Sequence, residues 1–169
     1  DRAQVSLTQI AQAAGRAGRR VALEFQAHSA FGNNLQTAAA LVSQVASPHL
    51  GLCFDIFHFY CGPSKGEDLG YLTRDNLFHV QLSDLADVPR ELASDSDRIL
   101  PGDGDLPLPL IVGRLREIGY AGTVSIVSTG EGSVVWVVVG TLGTVVAATS
   151  SATEACSTLG GPAVRSTCD

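Results

Sequence analysis

Apolar positions recur along the chain in two alternating rhythms. In VSLTQIAQAAGRAG, residues 5–18, Val5, Ile10 and Ala13 fall at roughly helical spacing and Gly18 supplies a stop, which predicts a helix. RRVALEF, residues 19–25, reads as a short buried strand with Glu24 near its end. The polar stretch QAHSAFGN leads into alanine-rich NLQTAAALVSQVAS, residues 34–47, a helix with Asn33 or Asn34 as its cap. HLGLCFDIFHF, residues 49–59, is an apolar run that predicts a second strand. SKGEDLGYL reads as a short helix with its acidic residues near the start, and NLFHVQLSD, residues 76–84, as a third strand. A long loop comes next, carrying DSDRILPGDGDLP, turn-rich in Gly, Pro and Asp. LPLIVGRLREIGY, residues 108–120, predicts a helix ended by Gly119, and GTVSIV, residues 122–127, a fourth strand.

Helix and strand thus alternate four times, the pattern of parallel βα units in an α/β fold. The polar exceptions are placed consistently. Glu24, Asp55, His58, Gln81 and Asp84 all fall at or near the C-terminal ends of predicted strands, the edge where binding groups collect in parallel folds because the loops there vary while the strands stay fixed. After Ile126 the texture changes to Val, Gly, Thr, Ser and Ala without a helical period, and a boundary is expected at 126–130.

Composition narrows the class. A chain of 169 residues has room for one ordinary domain, and 45% hydrophobic with 17% charged residues suits a globular one. A net charge of −6 argues against a nucleic-acid footprint. Four scattered cysteines, Cys53, Cys61, Cys156 and Cys168, form neither a zinc pattern nor a disulfide framework. Cys53 is expected to be a small buried hydrophobe, and the setting a reducing cytoplasm. The chain has no methionine, even at position 1, so the expectation is a processed product or a piece of something longer. The longest apolar stretch, residues 134–148, is shorter than the roughly 20 residues of a membrane helix, and no membrane association is expected.

Candidate chemistry lies at the strand ends. Glu24, Asp55 and Gln81 offer three oxygen donors that suit a hard or borderline cation such as Mg²⁺ or Mn²⁺; the alternative is that the carboxylates cap the loops or helices after them. His58 is a candidate partner of Asp55 or a substrate contact. His79, two residues before Gln81, faces the same side and is as readily a satisfied core histidine. Arg98 suits an anion or a sugar hydroxyl, although a salt bridge with Asp95 or Asp97 is what spacing alone favours. His28 and His49 receive no role. GRAGRR, residues 15–20, lacks a phosphate-loop context, and no Ser-His-Asp spacing, P-loop or G-x-G-x-x-G is present.

The motifs ALEF, GLCFDIFHFYCG, LFHVQLSD, SDRILPGDGDLPL and LREIGYAGTVSI come in one order and together resemble the C-terminal half of the xylose isomerase-like TIM barrels. That superfamily includes sugar phosphate isomerases and epimerases, inosose isomerases and dehydratases, and dehydroshikimate dehydratases. The resemblance spans residues 5–126 and is most distinctive in D-x-x-H-F and D-R-x-x-P-G-x-G. It implies a partial (β/α)₈ barrel of about four βα units over residues 1–126, with its site at the C-terminal face. By position, Glu24 and Asp55 match family metal ligands. Gln81 falls where many members have histidine and some have glutamine. His58 and Arg98 match residues near the substrate.

Two departures accompany the match. The chain is shorter than the roughly 250 residues of a complete barrel. The family's last strand usually reads V-S-x-E, with a glutamate as fourth metal ligand, whereas this chain has Val127 there. The composition changes at the same point, so residues 127–169 are read as an atypical, low-complexity, β-rich or irregular tail produced by a shift of reading frame. Translating the other two frames past codon 126 is expected to recover a Glu-Leu-Phe run, and finding none would remove that explanation.

The resemblance implies a divalent-metal-dependent sugar or sugar-phosphate isomerase or epimerase, Glu24 serving also as catalytic base and the substrate being a small sugar or polyol. The missing glutamate weighs against full activity. A dehydroshikimate dehydratase-like lyase and a non-catalytic fragment are the rival readings. Unpaired sheet edges predict a homo-oligomer.

Overall fold

The structure, a computed structural model, describes residues 2–128. The expectations for residues 129–169 lie outside them. The first helix, α1 (Arg2–Arg16), ends as Gly18 takes a left-handed φ of 63°, a conformation glycine adopts without a Cβ penalty. Strand β1 (Val21–Glu24) follows, then α2 (Leu35–Val45). The Asn34 side chain caps α2 by accepting from Thr37 N at 2.8 Å, which decides between the two candidate caps. Strand β2 (Leu50–Asp55) leads directly into α3 (Ile56–Cys61). A 3₁₀ helix at Gly66–Tyr71 precedes β3 (Leu77–Leu82), and a second at Asp95–Asp97 lies in the long loop before α4 (Leu108–Glu117) and β4 (Thr123–Ile126).

One boundary differs from expectation. The apolar run at 49–59 does not continue as a strand: it turns helical after Asp55. Asp55 is in extended conformation and its Oδ1 accepts from Phe57 N at 2.8 Å, a helix cap built into the strand end. An apolar run carries no period that separates a buried strand from a buried helix. The structure buries both halves, with Phe54, Ile56 and Phe57 all fully inaccessible.

The four strands form one parallel sheet in the order β1-β2-β3-β4. The register slips once: Leu52 pairs with Leu77 but Cys53 with His79, leaving Phe78 as an extra residue. Phe78 lies against Gly51, where a Cβ would sit 2.5 Å from the ring. The core joins the helix-facing side of the sheet (Leu50, Leu52, Phe54, Leu77, Val80, Leu82, Val124) to Leu35, Ala38 and Val42 of α2 and Ile111 and Leu115 of α4. Each of these side chains other than Ala38 contributes about 1.5–3 kcal/mol on burial. The pleat sends Glu24, Cys53, Asp55, His79, Gln81 and Ser125 to the other face. No helix among the described residues is long and apolar enough to cross a membrane.

Candidate metal and substrate site

The ladder brings the strand-end residues into one row. Glu24 pairs in register with Cys53, and Asp55 with Gln81, so three side chains from three adjacent strands meet at the C-terminal edge. The hydrogen-bond network orients the Gln81 amide: its nitrogen donates to Asp55 Oδ2 at 2.9 Å and to Glu24 Oε1 at 2.8 Å. Turning the amide over would place three oxygens at those separations. Only a cation, or protonation of a carboxylate, could stabilise that arrangement.

Asp55 divides its carboxylate between two tasks. Oδ1 caps α3 and accepts from Arg98 Nη1 at 3.0 Å, while Oδ2 lies 2.9 Å from the same nitrogen and faces Gln81. Arg98, 4% exposed, also donates from Nε and Nη2 to Asp95 Oδ1 at 2.9 and 2.7 Å, and its guanidinium stacks 4.3 Å above the Phe57 ring. Burial opposes its charge, but Asp55 and Asp95 outweigh that and raise its pKa.

His58 reaches the cluster from the first turn of α3, and one ligand atom each of Glu24, Asp55 and His58 lies within 4.8 Å of the others. Nε2 of His58 is 3.4 Å from Arg98 Nη2. Arginine only donates, so Nε2 is the acceptor and the neutral ring carries its proton on Nδ1. That Nδ1 is buried without a protein partner, and an orphaned donor of this kind costs about 1–3 kcal/mol unless something occupies the space beside it. Burial, above all, lowers the His58 pKa; Arg98 lowers it further against the pull of Asp55. Burial and then the charge of Asp55 raise Glu24 above its usual 4.5.

The donor set fits a divalent cation: two carboxylates and an amide that can present oxygen, all at one edge, with the His58 ring beside them. Cys53 does not join it. Burial, then Glu24 and Asp55, push its thiol up to about 12, so it stays a neutral small hydrophobe as expected. His79 does not join it either, because its Nε2 is engaged with Ser125 Oγ at 2.9 Å. Val127 N donates to Leu82 O at 2.9 Å, and the pleat puts its apolar side chain on the face of Ser125 and Gln81.

Asp84 is a loop anchor. Fully buried, it accepts from the backbone N–H of Leu85, Gly102 and Leu106, each at 2.9 Å, and its main chain exchanges two bonds with Ile99. These bonds fix the loop that carries Arg98. The strand-end position of Asp84 was legible in sequence; its three partners, 1 to 22 residues away, were not.

Known proteins share this arrangement of strands. The chain matches the xylose isomerase-like TIM barrel family over residues 1–134. It is 34% identical over 121 residues to an inosose isomerase of Halalkalibacterium halodurans, covering 71% of this chain and 43% of that protein. An inosose isomerase of Bacillus subtilis is 32% identical over 121 residues, with 71% and 44% covered. The chain therefore spans less than half the length of these curated relatives. A crystal structure of the IOLI protein with a zinc atom bound superposes with a TM-score of 0.70 at 30% identity, covering 75% of this chain and 46% of that one. A structure of L-ribulose 3-epimerase, 22% identical with a TM-score of 0.64 over 78% of this chain and 41% of its own, shares the fold. With a family match across most of its length and the same parallel βα units, the chain belongs to the xylose isomerase-like TIM barrel family.

Proposed function

We propose that this chain supplies the metal- and substrate-binding edge of a divalent-metal-dependent isomerase or epimerase acting on a small sugar or polyol. The observation that carries the reading is the convergence of Glu24, Asp55 and His58 within 4.8 Å at the C-terminal ends of adjacent strands. The inosose isomerase relatives and the zinc-bound IOLI structure support it. Glu24, Asp55 and Gln81 would hold the cation, Gln81 by turning its amide oxygen inward. A cation held there would polarise a carbonyl and its neighbouring hydroxyl and so lower the cost of removing the proton from the carbon that bears the hydroxyl.

The chain's own residues supply the rest. Glu24 is the base, its carboxylate set at the strand edge beside Asp55 and Gln81 to take a proton and return it. Asp55 is held by Arg98 and the α3 backbone so that Oδ2 alone points inward. The Nδ1–H of His58, buried with no protein partner, is placed to donate to a substrate hydroxyl. Arg98 forms the wall of the site on the substrate side. Val127 gives no carboxylate at the end of β4, so turnover is expected to be low.

The test is calorimetric titration of Mn²⁺ and Zn²⁺ into the purified chain, with Glu24→Ala as control. Saturable binding abolished by the substitution supports the site. Absence of binding by either cation overturns it. Product analysis by mass separates the isomerase reading from a lyase, since only the latter releases water.

A further inference from the structure

The basic turn at residues 15–20 stands at the opposite end of the strands from the carboxylates. Its backbone is pinned twice by His49, whose Nδ1 contacts Arg19 O at 3.1 Å and whose carbonyl accepts from Val21 N at 2.8 Å. Arg19 N in turn donates to Ala14 O at 2.8 Å. The Arg20 guanidinium is held 4.4 Å above the Phe78 ring, which the register slip presents and Gly51 makes room for. The Tyr120 hydroxyl bonds the carbonyls of Phe78 and Thr123 at 3.3 and 2.7 Å, fixing the far wall.

Between these walls lies a cleft of about 410 Å³ bordered by Gly18, Arg19, Arg20, Phe78, His79 and Thr123, with no carboxylate among its described lining residues. The charge distribution along the chain reinforces this. The loop of residues 83–107, at the carboxylate end, carries seven acidic residues against two arginines, whereas residues 15–20 carry three arginines and no acid. In a chain of net charge −6, a cleft with two guanidinium groups, an imidazole and a hydroxyl is a local inversion of sign. Guanidinium forks match phosphate oxygens geometrically, and a volume of this size holds more than a bare phosphate.

We propose that this cleft at the N-terminal ends of the strands binds a small phosphate-bearing molecule, its phosphoryl oxygens held by Arg19 and Arg20 with Thr123 and His79 alongside. The site does not depend on the metal reading, because it lies on the same face at the opposite end of the strands.

The test titrates the full chain separately with inorganic phosphate and with glycerol phosphate, followed by calorimetry or backbone amide shifts. Saturable binding is expected on the order of 1 mM, weakening as salt rises because both guanidinium groups are exposed to screening. Arg19→Ala and Arg20→Ala should each weaken it about tenfold, and Arg20→Lys should fall between Arg20→Ala and the parent, since it keeps the charge but loses the fork and the stack on Phe78. Tighter binding of glycerol phosphate assigns the cleft to organic phosphates, and equal binding to the free anion; both support the site. Glu24→Ala, altered at the other end of the strands, should bind phosphate as the parent does. Unchanged affinity in folded Arg20→Ala, equal loss in Glu24→Ala, or no saturation by about 10 mM overturns the inference.

Discussion

Arg98 and Asp55, 43 residues apart in sequence, form an ion pair at 2.9 Å with side chains 3% and 1% exposed. Each compensates a charge that burial would otherwise penalise heavily. Replacing Arg98 with Met should destabilise the chain by about 3–5 kcal/mol, because it strands the Asp55 carboxylate. The double replacement Arg98→Met with Asp55→Leu should cost less than either single change, as measured by urea unfolding. Additive losses in that cycle would mean the two side chains act independently.

Glu24 offers a test by pH. Its folded pKa lies above the unfolded 4.5, raised by burial and by Asp55. The protonated form is therefore favoured in the fold, and the corresponding stability is present below pH 4.5 and lost as pH rises through the folded value. Glu24→Gln should be more stable than the parent at pH 7 and nearly equal to it at pH 4. Thermal unfolding at both values in the absence of metal checks the sign.

His58 works in the opposite sense. Burial lowers its pKa below the ordinary 6.5, so the neutral ring contributes stability above pH 6.5 that is lost as pH falls through the lower folded value. His58→Gln should flatten this acid-side loss. Titration of the His58 ring followed by NMR would locate the midpoint, and a midpoint above 6.5 would contradict the geometry.

Gln81 decides which cation fits. An amide oxygen favours hard ions, whereas imidazole favours zinc. Gln81→His should shift the preference toward Zn²⁺ over Mg²⁺ by roughly tenfold, read by competitive titration. Gln81→Leu should weaken binding of both and leave Glu24 and Asp55 facing each other with no donor between them.

Asp84 predicts where the site loop fails. Asp84→Ala removes the acceptor for three backbone N–H groups, each lost bond to a charged group costing about 1.5–3 kcal/mol. Gly104→Ala should perturb the same loop by overpacking, since a Cβ there would sit 2.5 Å from Leu85 O and 2.6 Å from Asp84 Oδ1. Hydrogen exchange should accelerate at Ile99, Gly102 and Leu106 in both variants before it changes in β2.

What the sequence by itself determined is local and periodic. The four βα alternations and the stops at Gly18 and Gly119, with φ of 63° and 65°, depend on residues within a few positions of one another, whereas the choice of Asn34 over Asn33 as cap came from the structure. Position in the pattern also put Glu24, Asp55 and Gln81 at or near the C-terminal ends of predicted strands, while their meeting in one row depends on the register of neighbouring strands. The strand-to-helix switch after Asp55 was hidden, since the apolar run serves both structures and only packing chooses. The partners of Arg98 show the same division. Asp95, three residues away, was among the candidates from spacing, whereas Asp55 and the ring of Phe57 were supplied by the folding of a loop across the strand ends. The pinning of that loop by Asp84, the bridging amide of Gln81 and the orphaned Nδ1 of His58 are likewise tertiary facts. A sequence names donors and acceptors, but which of them meet is settled only when the chain closes on itself and water is excluded from between them.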